Sequence, residues 1–359
     1  MRSEAVGSVD FPTLGDLIDA WIEQHCRIPD GFRRRQPFRQ YDWQFWCAAN
    51  HWRVREDAVF DPDQPPLSQA FTYRRSDIVM SQKTGKGPGA ACWSAVMAVG
   101  PDLFVGWAKA GDVYDCADFG CSCGWYYEYE VGEPMGRRHP SPLVQILATS
   151  QDQVDNIWRP LTAMIRFNDS PLRPLLLPRE EFIRVAGENP DDPDLDRIDA
   201  VTSAATSRLG NPVTGYVQDE TGIYTTRNGM VATAETMRRG AAGMQGRGIT
   251  TTNPWDPSED STAQRAYEAD MPDVFTFYSP PPPDLSFLDR RQRRKILEHN
   301  YAGITHTNVD AILAECDELM LKNPQGAERF FGNRVVQMGG SWINEAVWAA
   351  AWDGHDAVA

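Results

Sequence analysis

Two adjacent carboxylates, Asp219 and Glu220, close a mostly apolar stretch and are the residues of this chain best suited to chemistry. Tyr216-Val217-Gln218-Asp219-Glu220 reads as a strand that ends in an acidic pair. At the tip of a buried strand the first carboxylate can hold the water shell of Mg²⁺, and the second can polarise a water for attack on a γ-phosphate. Asp-Glu also closes ordinary edge strands as a solvated turn, so the pair needs company. Ser81-Gln82-Lys83-Thr84-Gly85-Lys86-Gly87-Pro88-Gly89 offers it. A Gly-rich loop of this kind turns successive N–H groups toward a phosphate, Lys86 brings a charge for the β and γ groups, and a following helix N-terminus adds partial positive charge. The loop departs from G-x-x-x-x-G-K-[ST] twice: Ser81 is read in place of the first Gly, and Gly87 replaces the hydroxyl residue that binds Mg²⁺. A plain flexible turn is the competing reading. A third stretch, residues 246–253, is β-branched at its centre and polar at its end. In a parallel sheet ligands lie beyond the carboxyl ends of the strands, which places Thr251, Thr252 and Asn253 beside the γ-phosphate as coupling residues. Asn253-Pro254 is also a good turn initiator.

The elements that must position these residues follow from periodicity. Residues 76–80 predict a short strand, then the loop, then a helix-competent apolar run over 90–99. Strands near Ile78, Ile146, Val201, Val217, Ile249 and Phe275 alternate with helical segments, which predicts an α/β fold with a mainly parallel sheet and helices on both faces. Three parts are expected: a helical, aromatic-rich segment over 1–59, a core over 60–278, and a helical region over 279–359. The run Pro280-Pro281-Pro282-Pro283 is a stiff break before that last part, where residues 289–300, 308–321 and 324–331 predict helices. The core carries a long insertion, residues 101–142, with Cys116, Cys121, Cys123 and His139. Three thiolates and one imidazole suit a structural Zn²⁺, whereas irregular spacing suits a reduced, metal-free Gly-rich hairpin, and both readings stand.

Composition narrows the classes. The chain has 359 residues, 42% hydrophobic and 24% charged, a globular balance. No apolar run reaches the roughly 18 residues of a membrane helix, and Met1-Arg2-Ser3-Glu4 does not open a secretory signal. A net charge of -15 argues against a protein that coats DNA nonspecifically. Basic clusters at Arg33-Arg34-Arg35 and over residues 290–295 read as solvated helix faces or subunit contacts, with DNA contact the minority view.

Taken together, QKTGKGP in the loop, ATSQDQVDNIW over 148–158, VQDET over 217–221, ITTTNPWDPSEDS over 249–261 and AERFFGNRVV over 327–336 resemble the large terminase subunit of tailed bacteriophages, in the branch found in phages of actinobacteria. The resemblance implies a P-loop NTPase of the ASCE type whose C-terminal helices form a small lid. It implies an ATP- and Mg²⁺-dependent motor that translocates double-stranded DNA into a capsid. The implied partners are the portal protein and a small terminase subunit. The motor would be a ring homo-oligomer, pentameric when assembled and monomeric alone, in the host cytoplasm and transiently on the procapsid. The implied roles are phosphate binding by residues 81–87 (Ser81, Gln82, Lys83, Thr84, Gly85, Lys86 and Gly87), Mg²⁺ at Asp219 through water, and activation of the attacking water by Glu220. Residues 36–46 resemble the family's adenine-side entry, with Gln44 on the base; Trp43 and Trp46 facing a core is the alternative. Relatives carry an arginine at the position of Gln82. Here the transition-state charge would come from Lys83, Arg247, a neighbouring subunit or, preferred, Arg208. Relatives also carry an RNase H-like nuclease domain; beyond Trp342 and Trp352 no nuclease triad is expected, and Asp353 and Asp356 read as solvated tail. Other expectations remain: another DNA-dependent ATPase, a nucleotide-binding ring component with little hydrolysis, or a zinc-dependent interaction module.

Overall fold

Neighbouring residues on the central strands point to opposite faces, and both faces are apolar, so helices must cover each side. The computed structural model describes residues 2–3, 6–187, 189–202 and 211–338 and shows that arrangement. The chain begins with β1 (Arg2–Ser3), α1 (Gly15–His25), α2 (Asp42–His51), β2 (Arg75–Val79) and α3 (Lys86–Val99). The insertion contributes β3 (Leu103–Trp107), β4 (Val113–Asp115), β5 (Tyr126–Glu128) and β6 (Pro134–Arg137). The core resumes with β7 (Leu143–Leu147), α4 (Gln151–Arg166), β8 (Leu176–Pro178), β9 (Phe182–Val185), β10 (Arg197–Val201) and β11 (Gly215–Asp219). It ends with α5 (Met230–Gly243), β12 (Arg247–Thr252), α6 (Thr262–Ala269) and β13 (Val274–Tyr278). Beyond the prolines lie α7 (Arg290–Asn300), α8 (Val309–Lys322) and α9 (Pro324–Phe330).

The nine-stranded sheet has the order β1-β13-β2-β12-β11-β7-β10-β9-β8. Pairing is parallel from β1 to β10 and antiparallel at the β10-β9-β8 edge. Ile78, Ile146, Val217, Ile249 and Phe277 face one side, in a core shared with α1 to α4. Leu147, Val201 and Tyr216 face the other and pack with α5, while Val79 and Tyr278 meet Trp255 and Ala263. All six anticipated strands are present. The antiparallel edge was not anticipated; its strands are short and flanked by proline and charge, so alternation in them is weak.

The insertion folds as two small antiparallel pairs, β3 with β6 and β4 with β5. The C-terminal helices enclose an apolar cluster of their own, built from Phe287, Ile296, Leu297, Tyr301, Leu313, Cys316 and Phe331. Side-chain caps start each helix: Asp289 on α7, Asn308 on α8 and Asn323 on α9. The basic run over 290–295 is spent largely inside this unit, because Arg290 and Arg293 both pair with Asp317, and Arg294 pairs with Glu298 and Asp310.

Beneath the sheet a buried charge fixes how the N-terminal helices meet β12. The Arg247 guanidinium donates to His51 O at 2.6 Å, lies over the Phe71 ring at 3.6 Å and meets Asp102 Oδ1 at 3.4 Å. Asp102 also accepts from Trp52 Nε1 at 2.8 Å. Removing one partner of a buried pair strands the other charge. Asp102→Ala should therefore cost about 3 kcal/mol, and Asp102→Asn, which keeps an acceptor for Trp52, should cost less. Urea unfolding with an unchanged m-value measures both.

Candidate nucleotide site

Strand β2 delivers the loop to the carboxyl edge of the sheet, and the loop turns by left-handed backbone at Lys83 (φ 62°) and Gly85 (φ 94°). Helix α3 starts at Lys86, four residues earlier than the apolar run suggests, so Gly87, Pro88 and Gly89 form its first turn. Proline there is compatible with helix, since first-turn N–H groups have no helical acceptor. Lys86 is buried. Its Nζ donates to Met80 O at 2.9 Å, Ser81 O at 2.8 Å and Asn253 Oδ1 at 2.8 Å. Burial pulls the ammonium below its usual range, and Glu220 and Asp219 oppose that shift. Counted back from Lys86, the first glycine position of the pattern falls on Met80, not Ser81; both residues serve the lysine through their carbonyls.

The acidic strand lies two places away, with β12 between it and β2. Asp219 is buried at the end of β11, and its Oδ1 accepts from Thr251 Oγ1 at 2.6 Å. Burial first, and then the neighbouring Glu220, push the Asp219 carboxyl up to about 7, against the pull of Thr251 and Lys86. Glu220 leaves the strand in left-handed conformation (φ 58°), which swings its side chain toward Asn253, whose Nδ2 donates to Glu220 Oε2 at 3.5 Å. Thr252 Oγ1 donates to Asn253 O at 2.7 Å and accepts from Gly222 N at 2.8 Å. Three adjacent strand ends thus bring Lys86, Asn253, Glu220, Asp219 and Thr251 together.

Other expected residues sit differently. Gln44 is buried and bonded to the backbone: Nε2 donates to Gly85 O at 3.0 Å and Oε1 accepts from Tyr41 N at 2.9 Å. It braces the loop. Trp43 is in the core, stacked near Phe277, while Trp46 is half-buried. Arg247 cannot supply transition-state charge, because it is engaged at the opposite end of β12 from Asn253. Lys83 is exposed on the loop. Arg208, Trp342, Trp352, Asp353 and Asp356 lie outside the described residues. Thr84 Oγ1 is spent on Ser81 O at 2.9 Å.

What sequence did not flag is the grip of the C-terminal helices. Ser81 Oγ donates to Phe331 O at 3.2 Å, Gln82 N to Phe330 O at 2.8 Å, and Tyr301 Oη to Gln82 O at 2.8 Å. Arg329 Nε donates to Pro254 O at 2.5 Å, next to the β12 tip. Over Gly85, Tyr41 Oη and His306 Nδ1 share a hydrogen bond of 2.7 Å with their rings stacked.

The cysteine cluster also needs correcting. Cys116, Cys121 and Cys123 do converge, but their imidazole is His25 at the end of α1, not His139. The His139 Nδ1 instead accepts from Ser141 N at 3.1 Å.

Packing explains Gly87. A Cβ there would stand 2.4 Å from Asn156 O, on the flank of α4. That carbonyl protrudes where Pro160, four residues on, has no N–H to give it. A hydroxyl residue has no room. Gly87→Ser, which completes the loop pattern on paper, should destabilise the protein by about 1–3 kcal/mol, seen as a lower denaturant midpoint.

With this geometry, comparison with known proteins supports the fold. No family model matches the chain, and no curated protein does. Among solved structures, the large terminase of bacteriophage HK97 superposes with a TM-score of 0.59 at 16% identity, covering 94% of this chain. This chain spans 58% of the length of that one. The large terminase ATPase domain of Thermus phage P74-26 matches 75% of the chain at 12% identity, and the large terminase of another thermophilic bacteriophage, solved in complex with ADP, matches 66% at 11%. Their TM-scores of 0.41 and 0.32 are too low to add to the assignment. The HK97 likeness shows the fold: a mainly parallel sheet covered by helices, shared with a phage large terminase.

Proposed function

We propose that the chain is the ATP-hydrolysing motor part of a viral DNA-packaging machine, acting with portal and small terminase subunits as a ring on double-stranded DNA. One observation carries the reading: the buried Lys86 ammonium is linked through Asn253 to Glu220, with Asp219 beside it, at the carboxyl edge of a parallel sheet. In such folds that edge is where nucleotide sits. The branch found in actinobacterial phages rests on the segments quoted above.

The residues present fit a divalent cation. Asp219 is a buried carboxyl whose ionisation is suppressed by its surroundings, and a nearby cation would restore it. Bound Mg²⁺ would neutralise charge on the β and γ oxygens. The protein's own part is then clear. Lys86 exchanges carbonyl acceptors for phosphate oxygens, the amides of Gly85 to Gly87 face the anion at the α3 N-terminus, and Glu220 orients a water and takes its proton. Asn253 stands between lysine and glutamate, so loss of the γ-phosphate would alter its contacts first. Thr252, bonded to Asn253 O and Gly222 N, would carry that change into the backbone. With Gly87 bare, the usual hydroxyl ligand is missing, and water or the Thr84 hydroxyl, whose hydrogen goes to Ser81 O, would have to take its place. That feature favours one rival reading, a ring component that binds ATP but hydrolyses it little.

Activity separates the two. With DNA and portal present, the wild type should hydrolyse ATP, Glu220→Gln should lower the rate on the order of 10²-fold or more while retaining nucleotide binding, and Lys86→Ala should abolish binding of a fluorescent ATP analogue. A Glu220→Gln rate within twofold of wild type would remove Glu220 from catalysis. Binding without turnover in the wild type would establish the ring-component reading.

A further inference from the structure

We infer that His25, Cys116, Cys121 and Cys123 form a structural Zn²⁺ site that staples the insertion over residues 101–142 to helix α1. The site lies apart from the nucleotide edge and does not depend on the proposed function.

The four candidate ligand atoms lie within 4.8 Å of one another. Cys116 Sγ and Cys123 Sγ are 3.4 Å apart, and His25 Nε2 is 3.6 Å from both Cys121 Sγ and Cys123 Sγ. A tetrahedral zinc with its usual bond lengths sets sulfur atoms about 3.8 Å apart and sulfur and nitrogen about 3.5 Å apart. The spacing therefore matches tetrahedral ligands already gathered round one point. A disulfide would join two of the sulfurs at about 2.0 Å and leave the third and the imidazole without a role.

The imidazole is prepared for a metal. His25 Nδ1 meets Trp21 O at 2.9 Å, and a carbonyl can only accept, so the ring proton sits on Nδ1 and Nε2 presents its lone pair to the sulfurs. The Trp21 ring stacks on His25 at 4.4 Å and Trp125 meets it edge-on at 5.5 Å, forming an apolar wall that holds the ring orientation. His25, Cys116 and Cys121 are buried.

The backbone is shaped to suit. Between Cys116 and Cys123 the chain reverses at Gly120 (φ 81°), and it reverses again at Gly124 (φ 73°), left-handed positions that glycine adopts without strain. Cys121 N donates to Cys116 O at 3.1 Å and Cys116 N to Trp125 O at 3.3 Å, closing a compact knuckle. Regular structure in the insertion amounts to two small strand pairs and one 3-10 turn over Cys116–Phe119, too little to stand alone without a staple. Helix α1 packs against α2 and α3, so the metal would tie the insertion to the helical layer behind the phosphate loop.

Metal analysis of the full chain, purified without chelator under reducing conditions, tests this. About one zinc per chain is expected. Metal-free reduced protein should take up Co²⁺ with thiolate-to-cobalt charge-transfer and tetrahedral ligand-field absorption, and zinc removal should lower the melting temperature. Cys121→Ser and Cys123→Ser should reduce zinc content at least tenfold and His25→Ala should weaken affinity by about 10-fold or more, while His139→Ala should leave both unchanged. If these variants do not fold, the cobalt titration of the wild type decides alone. Absence of zinc together with no thiolate-to-cobalt band overturns the inference. So does a Cys116–Cys123 disulfide in the purified chain, or equal metal loss in His139→Ala and His25→Ala.

Discussion

A lysine ammonium taken out of water must be surrounded by oxygen, and much of the site follows from how that is done for Lys86. Desolvating such an ion costs several kcal/mol unless acceptors replace its hydration. Met80 O and Ser81 O come from the end of β2 and the start of the loop, and Asn253 Oδ1 comes from the neighbouring strand tip. The loop can therefore close on its own lysine, but only because β12 lies beside β2 in register, with Thr252 opposite Val79. Moving β12 by one residue would turn Asn253 away and leave a third of the ammonium's donors unmet.

The helices behind the loop are built for close approach. A Cβ at Gly89 would stand 2.7 Å from Gln44 Nε2, and one at Gly87 would meet the exposed carbonyl of Asn156. Glycine at both positions lets α2 and α4 press against the first turn of α3. The departure at Gly87 is thus a consequence of packing, traceable to a proline inside α4. The same closeness gives Gln44 its place: it holds the Gly85 carbonyl from behind and joins it to the backbone N–H of Tyr41.

Sequence made the central strands legible because two covered faces demand apolar residues on both parities, as in Tyr216 with Val217 or Ile146 with Leu147. The acidic pair and the Thr/Asn tip stood out only as a set, because a polar ending on an apolar strand is also an ordinary turn; the fold places both at neighbouring strand ends. What failed was anything set by distance in space. His25 precedes Cys121 by 96 residues, so His139, much nearer in the chain, looked like the natural fourth ligand. Arg247 opens β12 and Asn253 follows its other end; at about 3.3 Å per residue the strand keeps them far apart, although both belong to one short segment. Gln44 was recognised as a site residue, but its bonds to Gly85 O and Tyr41 N were not foreseen, because an amide can serve a base or a backbone carbonyl equally well. The Phe330 and Phe331 contacts escaped notice for a plainer reason: they use main-chain atoms, which every sequence possesses.

Those main-chain contacts have a mechanical corollary. Carbonyls of the α9 terminus receive hydrogen bonds from Ser81 and Gln82, and Tyr301 returns one to Gln82, so the helical unit is hooked to the phosphate loop. Hooks of that type are short and directional, and they break if either party rotates alone. The last helices are also tied to the β12 tip through Arg329 and Pro254 O and to the start of α2 through His306 and Tyr41, so a shift of the loop must either carry these helices with it or break several directional bonds at once.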